Sequence, residues 1–314
     1  MRSKIKQMID DSNSILLLTH ESPDGDAIGS VLAFYHFLTS INKTVDMVVL
    51  DIPKVFNFLP SIDKIVDNVS GEYDLGIVLD CAVRKRIGQK EDLLVNCKNT
   101  ICIDHHISNS NYCDVNFVEG NTSSCCQVVY YLFKDFGVKF NNSICEPLVS
   151  GLLTDTNGFS TDEVDNYTFN MAADMLNLGI DVHSIYQKVL LKKTKSQFEL
   201  MQIATSRLEF LCEGKIAFTY ILASDFEKVG ASLGEHEGIV NIGRNIDGVE
   251  VSIFIRENNG WTFSLRSTGN IDVNKIALNL NGGGHKMAAG GKGLGSFEET
   301  KNKIIEETKK VLFQ

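Results

Sequence analysis

No stretch of this 314-residue chain reaches the roughly 18 consecutive apolar residues that a membrane-spanning helix requires, so a helical membrane protein is excluded. Proline is scarce, at four residues, and there is neither an internal repeat nor a low-complexity tract, which removes solenoids and disordered linkers. The eight cysteines are scattered, contain no Cys-x-x-Cys pair and are too few to staple a chain of this length. Reduced thiols are expected, with Cys125 and Cys126 as small buried hydrophobes and Cys81, beside Asp80, the one thiol near candidate chemistry. Positive charge is also short. Lys and Arg number 30 against 40 Asp and Glu, a net charge of -10, and a protein that tracks along a nucleic-acid backbone needs the opposite balance. Long duplex DNA is therefore not an expected partner. Small anionic substrates are, because a metal cluster can supply a local positive site. The first residues, MRSKIKQMIDDSNS, mix acids with bases and fit neither a secretory signal nor a transit peptide, so a cytoplasmic location without a membrane partner is expected.

What the chain does have is apolar material, 43% of its residues, enough for real cores. Its length exceeds the size at which one core stops growing, so two domains are expected. The fold class reads as α/β: an N-terminal parallel sheet with helices on both faces, then a smaller mixed α/β domain. ILLLTH (15–20) reads as a buried strand and AIGSVLAFYHFLTSI (27–41) as the helix after it. TVDMVVL (44–50), DLGIVLD (74–80) and NTICIDHH (99–106) follow as short apolar runs, the pattern of parallel strands buried on both faces. Helices are predicted over 122–137, 143–154 and 165–178, the last ending at Gly179. Residues 183–211 read as a mostly helical connector around KKTKSQFE. The expected domains are 1–185, a linker 186–208, and 209–314, whose strands are KIAFTYILA, VEVSIFIRE and WTFSLRS.

The chemistry is announced by what stands at the strand ends. ILLLT ends in His20, GIVL in Asp80, and TICI in Asp104, His105 and His106. The carboxyl ends of strands in an open parallel sheet line one edge, where ligands bind, so three strands deliver His and Asp to one crevice. Asp24 and Asp26 join them from the loop after the first strand, where their spacing of two turns both carboxylates to one point and Gly25 gives the loop freedom. Asp-Gly-Asp alone is an ordinary turn, and a lone Asp can cap a helix. Buried strands that repeatedly end in ionisable groups, however, require something to neutralise them. Imidazoles together with carboxylates suit a first-row divalent ion and tilt the choice from Mg²⁺ toward Mn²⁺. Four carboxylates, Asp24, Asp26, Asp80 and Asp155, balance two such ions, and a pair of ions can activate water and stabilise an in-line displacement at phosphorus.

Further pieces lie later in the chain. SGLLTDTNGF (150–159) leads through an apolar helix to Asp155. NGGGHKMAAGG (281–291) sets three glycines before His285, and Gly-rich backbone can approach a phosphate closely. Arg266 in FSLRS carries a planar fork that can grip a phosphate. A glycine run is usually a loop, and a lone arginine is usually a surface residue.

Taken together these motifs resemble the DHH/DHHA1 phosphoesterases along nearly the whole chain. THESPDGDAIGS (19–30), VLDCA (78–82), Asp104-His105-His106 and LLTDT (152–156) correspond to the DHH motifs, and SLRS (264–267) with GGGH (282–285) to the DHHA1 element. The resemblance implies that His20, Asp24 and Asp80 bind one Mn²⁺ and that Asp26, Asp80, His105 and Asp155 bind the other, with Asp80 as the bridge. His106 would face the substrate phosphate and Asp104 would orient the histidines. Arg266, Ser267, Gly283, Gly284 and His285 would hold a second phosphate or the chain end of the substrate, with Arg84 and Arg86 as further contacts. The implied substrates are short oligoribonucleotides and 3',5'-bisphosphate nucleotide (pAp). The RecJ-type exonucleases carry extra DNA-binding domains, and the membrane-bound cyclic-di-AMP phosphodiesterases carry transmembrane regions. The soluble pyrophosphatase branch has a different second domain without GGGH. Linear or cyclic dinucleotide hydrolysis is the alternative activity, a noncatalytic nucleotide-binding regulator is the alternative of another class, and a homodimer is an allowed assembly.

Overall fold

Each short apolar run of the N-terminal half becomes a parallel strand because its residues are needed on both faces of a sheet. In the computed structural model, which describes residues 1–313 with the Leu233 side chain set aside, the chain forms two compact units, Met1–Lys192 and Lys193 onward. The first contains α1 (Arg2–Asp10), β1 (Ser14–Leu18), α2 (Gly25–Ser40), β2 (Thr44–Val48), β3 (Tyr73–Leu79), β4 (Cys97–Asp104), β5 (Val115–Val118), α3 (Cys125–Phe136), α4 (Asn142–Asp155), α5 (Asn166–Asn177) and α6 (Val182–Tyr186). Its sheet is parallel throughout in the order β2-β1-β3-β4-β5, so the strand order reverses between β1 and β3. That reversal is where α/β sheets open a crevice at their carboxyl ends.

Alternation along β1 divides the core. Ile15 and Leu17 join the larger cluster under the helices, while Leu16 and Leu18 pack with Val78, Ile87 and Leu94 on the other face, beneath the 3₁₀ turns of Arg84–Asn96. Helical segments thus cover both faces. On the larger side α2 and α4 cross at very close range. A Cβ built on Gly29 would stand 2.4 Å from the Pro147 carbonyl oxygen, one on Gly25 2.3 Å from Thr154 Oγ1, and one on Gly151 3.0 Å from the Asp26 Cα. Gly25 is therefore the first residue of α2 and is needed for helix contact, not for loop freedom. This approach brings Asp26, early in α2, beside Asp155 at the end of α4.

The second unit contains α7 (Lys195–Ser206), β6 (Glu209–Leu211), β7 (Ile216–Ile221), α8 (Ala223–Val229), α9 (Ile239–Arg244), β8 (Val251–Glu257), β9 (Trp261–Ser267), α10 (Val273–Asn279), β10 (Gly283–Gly284), β11 (Ala288–Lys292) and α11 (Phe297–Leu312). Its mixed sheet runs β10-β11-β9-β8-β7-β6, with only β7 and β8 parallel. Residues of α10 and α11 fill one face, and residues of α7, α8 and α9 the other. α7, part of the stretch read as a connector, buries Leu200 and Ala204 in the second core beside Ile221 and Phe254. No helix among the described residues is long and apolar enough to cross a membrane.

Candidate metal centre

The loop from β1 to α2 begins at Thr19 and ends at Asp24, whose carboxylate caps α2 by accepting from the amides of Asp26 and Ala27. His20, Asp24, Asp26, Asp80, Asp104, His105, His106 and Asp155 all converge, and three overlapping groups emerge. They are His20 with Asp24 and Asp80; Asp26 with His105 and Asp155; and Asp80 with His105 and His106. Within each, one ligand atom per residue lies within 4.8 Å of the others. His20 Nε2 is 3.8 Å from Asp80 Oδ2; His105 Nε2 is 3.7 Å from Asp80 Oδ1, 3.9 Å from Asp26 and 3.3 Å from Asp155. Ligands about 2.1 Å from one ion stand roughly 3 to 3.5 Å apart at tetrahedral or octahedral angles. Three of the four spacings are too long for direct hydrogen bonds and stand a few tenths of an ångström wider than ligands on one ion, a gap that small side-chain rotations toward a cation close.

Two further observations fit the donor set to divalent ions. Asp80 is buried, its Oδ1 has no hydrogen-bond partner among the described residues, and its φ of 53° is left-handed, a conformation in which Asp is one of the few tolerated residues. Each ligand histidine also has its other nitrogen committed. His20 Nδ1 donates to the Glu21 carbonyl at 2.8 Å and His105 Nδ1 to the Thr122 carbonyl at 3.0 Å, which leaves each Nε2 lone pair aimed at the carboxylates.

The four buried or half-buried carboxylates fall into two kinds. Burial, together with the charges of neighbouring carboxylates, raises Asp26, Asp80 and Asp155 above the ordinary value, Asp80 to about 7. Burial acts on Asp104 too, but hydrogen bonds from His106 Nδ1 at 2.7 Å and Asn109 Nδ2 at 2.6 Å outweigh it and hold Asp104 below the usual range. The first three crowd their charges together around His105, and of their oxygens Asp80 Oδ1 is buried with no hydrogen-bond partner among the described residues. Asp104 is a satisfied anion that fixes His106. Burial would depress the two histidines. Asp155, Asp80 and Asp26 overcome it at His105 and push it up to about 10; the Asp104 bond and the Asp80 charge raise His106. Without cations, protons take their place.

Several contributors are invisible as motifs. The amides of Cys125 and Cys126, at the start of α3, donate to the two oxygens of Asp26 at 2.5 and 2.8 Å. The vicinal cysteines thus serve through their backbone, while their thiols are buried. Cys81 Sγ donates to the Val83 carbonyl, its pKa pushed up by burial to about 11, and no cysteine belongs to the metal-compatible groups among the described residues. Asn109 carried no signal beyond its place three residues after His106. Arg84 is paired with Glu91 at 2.9 Å, and the Arg86 guanidinium stands 3.4 Å from His20 Nδ1.

In the second unit Arg266 projects from β9 toward the α7–α9 side and Ser267 to the opposite side, since consecutive strand residues alternate. Burial and the nearby Arg244 charge lower the Arg266 pKa, partly offset by Glu237. Arg244 was not singled out by its sequence context. The Ser267 hydroxyl is buried without a hydrogen-bond partner among the described residues. Glycines 282 and 284 are required by the β10–β11 hairpin itself: a Cβ would stand 2.3 Å from the Gly290 oxygen or 2.4 Å from the Ala288 oxygen, whereas Gly283 faces open space. The His285 amide donates to the Ala288 carbonyl and closes that hairpin.

The chain matches the DHH family, N-terminal domain, over residues 14–154 and the DHHA1 domain over residues 213–312. It is 30% identical over 306 residues to the bifunctional oligoribonuclease and PAP phosphatase NrnA of Thermus thermophilus, covering 95% of this chain and 90% of that protein. The protein of the same name from Bacillus subtilis is 27% identical over 295 residues, 92% of each. The crystal structure of an exopolyphosphatase-related protein from Bacteroides fragilis superposes with a TM-score of 0.91 at 29% identity, covering 98% of this chain and 95% of that one. Both domains in order, and a relative this similar along nine-tenths of each chain, show that the protein belongs to the DHH/DHHA1 family of metal-dependent phosphoesterases.

Proposed function

We propose that this hydrolase uses two Mn²⁺ ions, with Mg²⁺ as the alternative, to cleave short oligoribonucleotides to mononucleotides and pAp to AMP and phosphate. The observation that carries the reading is Asp80: a buried, unsatisfied carboxylate shared between a His20–Asp24 group and a group with His105. On this reading His20, Asp24 and Asp80 hold one ion, and Asp26, Asp80, His105 and Asp155 the other. When bound, such ions supply Lewis acidity, polarising the phosphoryl group and lowering the pKa of water.

The chain's own residues do the rest. Glu21 and Thr122 carbonyls fix the ligand tautomers, and the α3 amides keep Asp26 in place against the repulsion of its neighbours. Asp104 holds Nδ1 of His106, which favours the imidazolium and suits it to stabilise charge on a substrate phosphate or to protonate a leaving oxygen. Arg266 and His285 serve as anchors for a second phosphate. The substrates are supported by the names of the two relatives that match along most of their length.

An assay with Mn²⁺ on pAp, the linear dinucleotide pApA and cyclic-di-AMP tests this. Phosphate from pAp and mononucleotides from pApA are expected. Turnover of cyclic-di-AMP alone would replace the reading with a cyclic-dinucleotide phosphodiesterase, and no turnover of any would remove the enzymatic assignment of substrate.

A further inference from the structure

Starting two residues after Asp155 the backbone enters the left-handed region three times in succession, at Asn157 (φ 45°), Gly158 (φ 69°) and Phe159 (φ 69°). Asn and Gly accept this conformation readily; an aromatic residue does so at a cost, and such strain collects at functional sites. The turn is held firmly, by the Gly158 amide to the Leu153 carbonyl at 2.8 Å and the Phe159 amide to Thr156 Oγ1 at 3.0 Å. Gly158 is fixed further by Tyr186, whose ring would lie 2.9 Å from an added Cβ. What the turn delivers is a ring. Phe159 stacks on Phe169 of α5 with centroids 5.4 Å apart and planes 25° apart, and Phe169 is 56% exposed.

We infer that Phe159 and Phe169 form a stacking platform for a nucleobase of the substrate whose phosphate lies at the metal centre. This rests on the activity proposed above and names the part of the substrate that the metal ligands cannot read. Phe159 follows Asp155 by four positions, a span of at most about 14 Å even for extended chain, and the turn shortens it. Parallel aromatic rings offer a face that accepts any base, because every base has a π-face. Nothing in the metal cluster distinguishes a nucleotide from another phosphoester. An aromatic face carried on the turn that follows a candidate ligand can. Lone exposed apolar residues are common on protein surfaces; a stacked pair with one member kept in a strained backbone next to a metal-ligand candidate is not.

The test uses the full chain with Mn²⁺ and two dinucleotides, one carrying 2-aminopurine and one abasic at the same position. Wild-type protein is expected to prefer the base-bearing substrate in kcat/KM and to quench 2-aminopurine emission on binding. Phe169→Ala, at an exposed position where folding is not at risk, should lower the preference ratio roughly 5- to 150-fold, the range expected for losing one stacked base, and abolish the quench. Phe169→Trp should restore both. An unaltered ratio in Phe169→Ala, or a failure of Trp to restore it, overturns the platform. So does a change in oligomeric size in Phe169→Ala, which would assign the rings to an interface between copies. A wild type that quenches 2-aminopurine yet cleaves no dinucleotide keeps the platform and overturns the activity; one that cleaves without quench or preference does the reverse.

Discussion

Replacing Asp80 with Asn should make the metal-free protein more stable while removing its response to metal. In the absence of cations, burial and the charges of Asp26 and Asp24 raise the Asp80 carboxyl from 3.8 to about 7. Its proton is thus bound more tightly in the folded than in the unfolded state. Below about pH 4 both states are protonated and the group is neutral to stability. Between pH 4 and 7 the unfolded chain releases the proton and the folded one retains it, so stability falls as pH rises, and above 7 the loss is complete. A shift of about three pH units corresponds to about 4 kcal/mol. Asn removes the charge, keeps the shape and tolerates the φ of 53° as Ala would not. At pH 8 in chelator the Asp80→Asn variant should melt roughly 8–16 °C above wild type, taking about 2–4 °C per kcal/mol for a unit of this size. The gain should shrink through pH 7 and vanish near pH 4. Added Mn²⁺ should raise the wild-type midpoint and leave the variant nearly unmoved, with phosphoesterase activity lost. Melting curves by circular dichroism from pH 4 to 8.5, with and without Mn²⁺, decide it. An Asn variant no more stable than wild type at pH 8, or equally favoured at pH 4, would refute the account of Asp80 as an unsatisfied charge awaiting a cation.

Three more expectations follow from the same geometry. His105, held up to about 10 by Asp155, Asp80 and Asp26 against its burial, must lose its proton before Nε2 can ligate, so apparent Mn²⁺ affinity should rise about tenfold per pH unit for each proton released; titration calorimetry in two buffers of different ionisation enthalpy should count at least one proton near pH 7.5, and pH-independent affinity would refute it. Asn109→Ala strips the 2.6 Å donor from Asp104 and should cost about 1–3 kcal/mol of stability, lowering kcat while Mn²⁺ affinity, measured separately, changes far less; a selective loss of metal binding would count against the division between Asp104 and the ligand carboxylates. Gly29→Ala drives a methyl to 2.4 Å from the Pro147 carbonyl, and the forced separation of α2 and α4 should cost about 1–3 kcal/mol, read as a lower thermal midpoint.

The fold was legible where physics leaves one solution. A strand buried on both faces must be apolar along its length, so β1, β3 and β4 stood out, and the ionisable residues at their ends stood out against them. β5 was hidden because its four residues, VNFV, include a polar Asn and are too few for a pattern. β10 is a Gly-Gly pair whose strand character comes entirely from its partner. The ionisable residues of the centre are side chains of characteristic type at meaningful spacing, and all of them converge. Its supports are mostly backbone groups, the Glu21 and Thr122 carbonyls and the Cys125 and Cys126 amides, and any residue type can supply those. Gly25 shows the same limit from another side: composition marked it as flexible, whereas its role depends on Thr154, 129 positions away in sequence.

These supports explain how carboxylates that repel one another are kept together before any cation arrives. Asp26 is seated on two amides at the start of α3, where the helix dipole adds favourable potential. Asp24 spends one oxygen on the cap of α2. Asp155 is carried by α4, locked to α2 through glycine contacts. Of these carboxylates, Asp80 is the one with a fully buried oxygen that has no hydrogen-bond partner among the described residues. The repulsion therefore concentrates on the one carboxylate that belongs to both groups, and the chain commits its free energy of folding to presenting that oxygen unsatisfied. A site arranged in this way gains most from a cation at Asp80, which is why the shared ligand, and not the more exposed Asp24, is the position at which charge removal and metal response should be coupled.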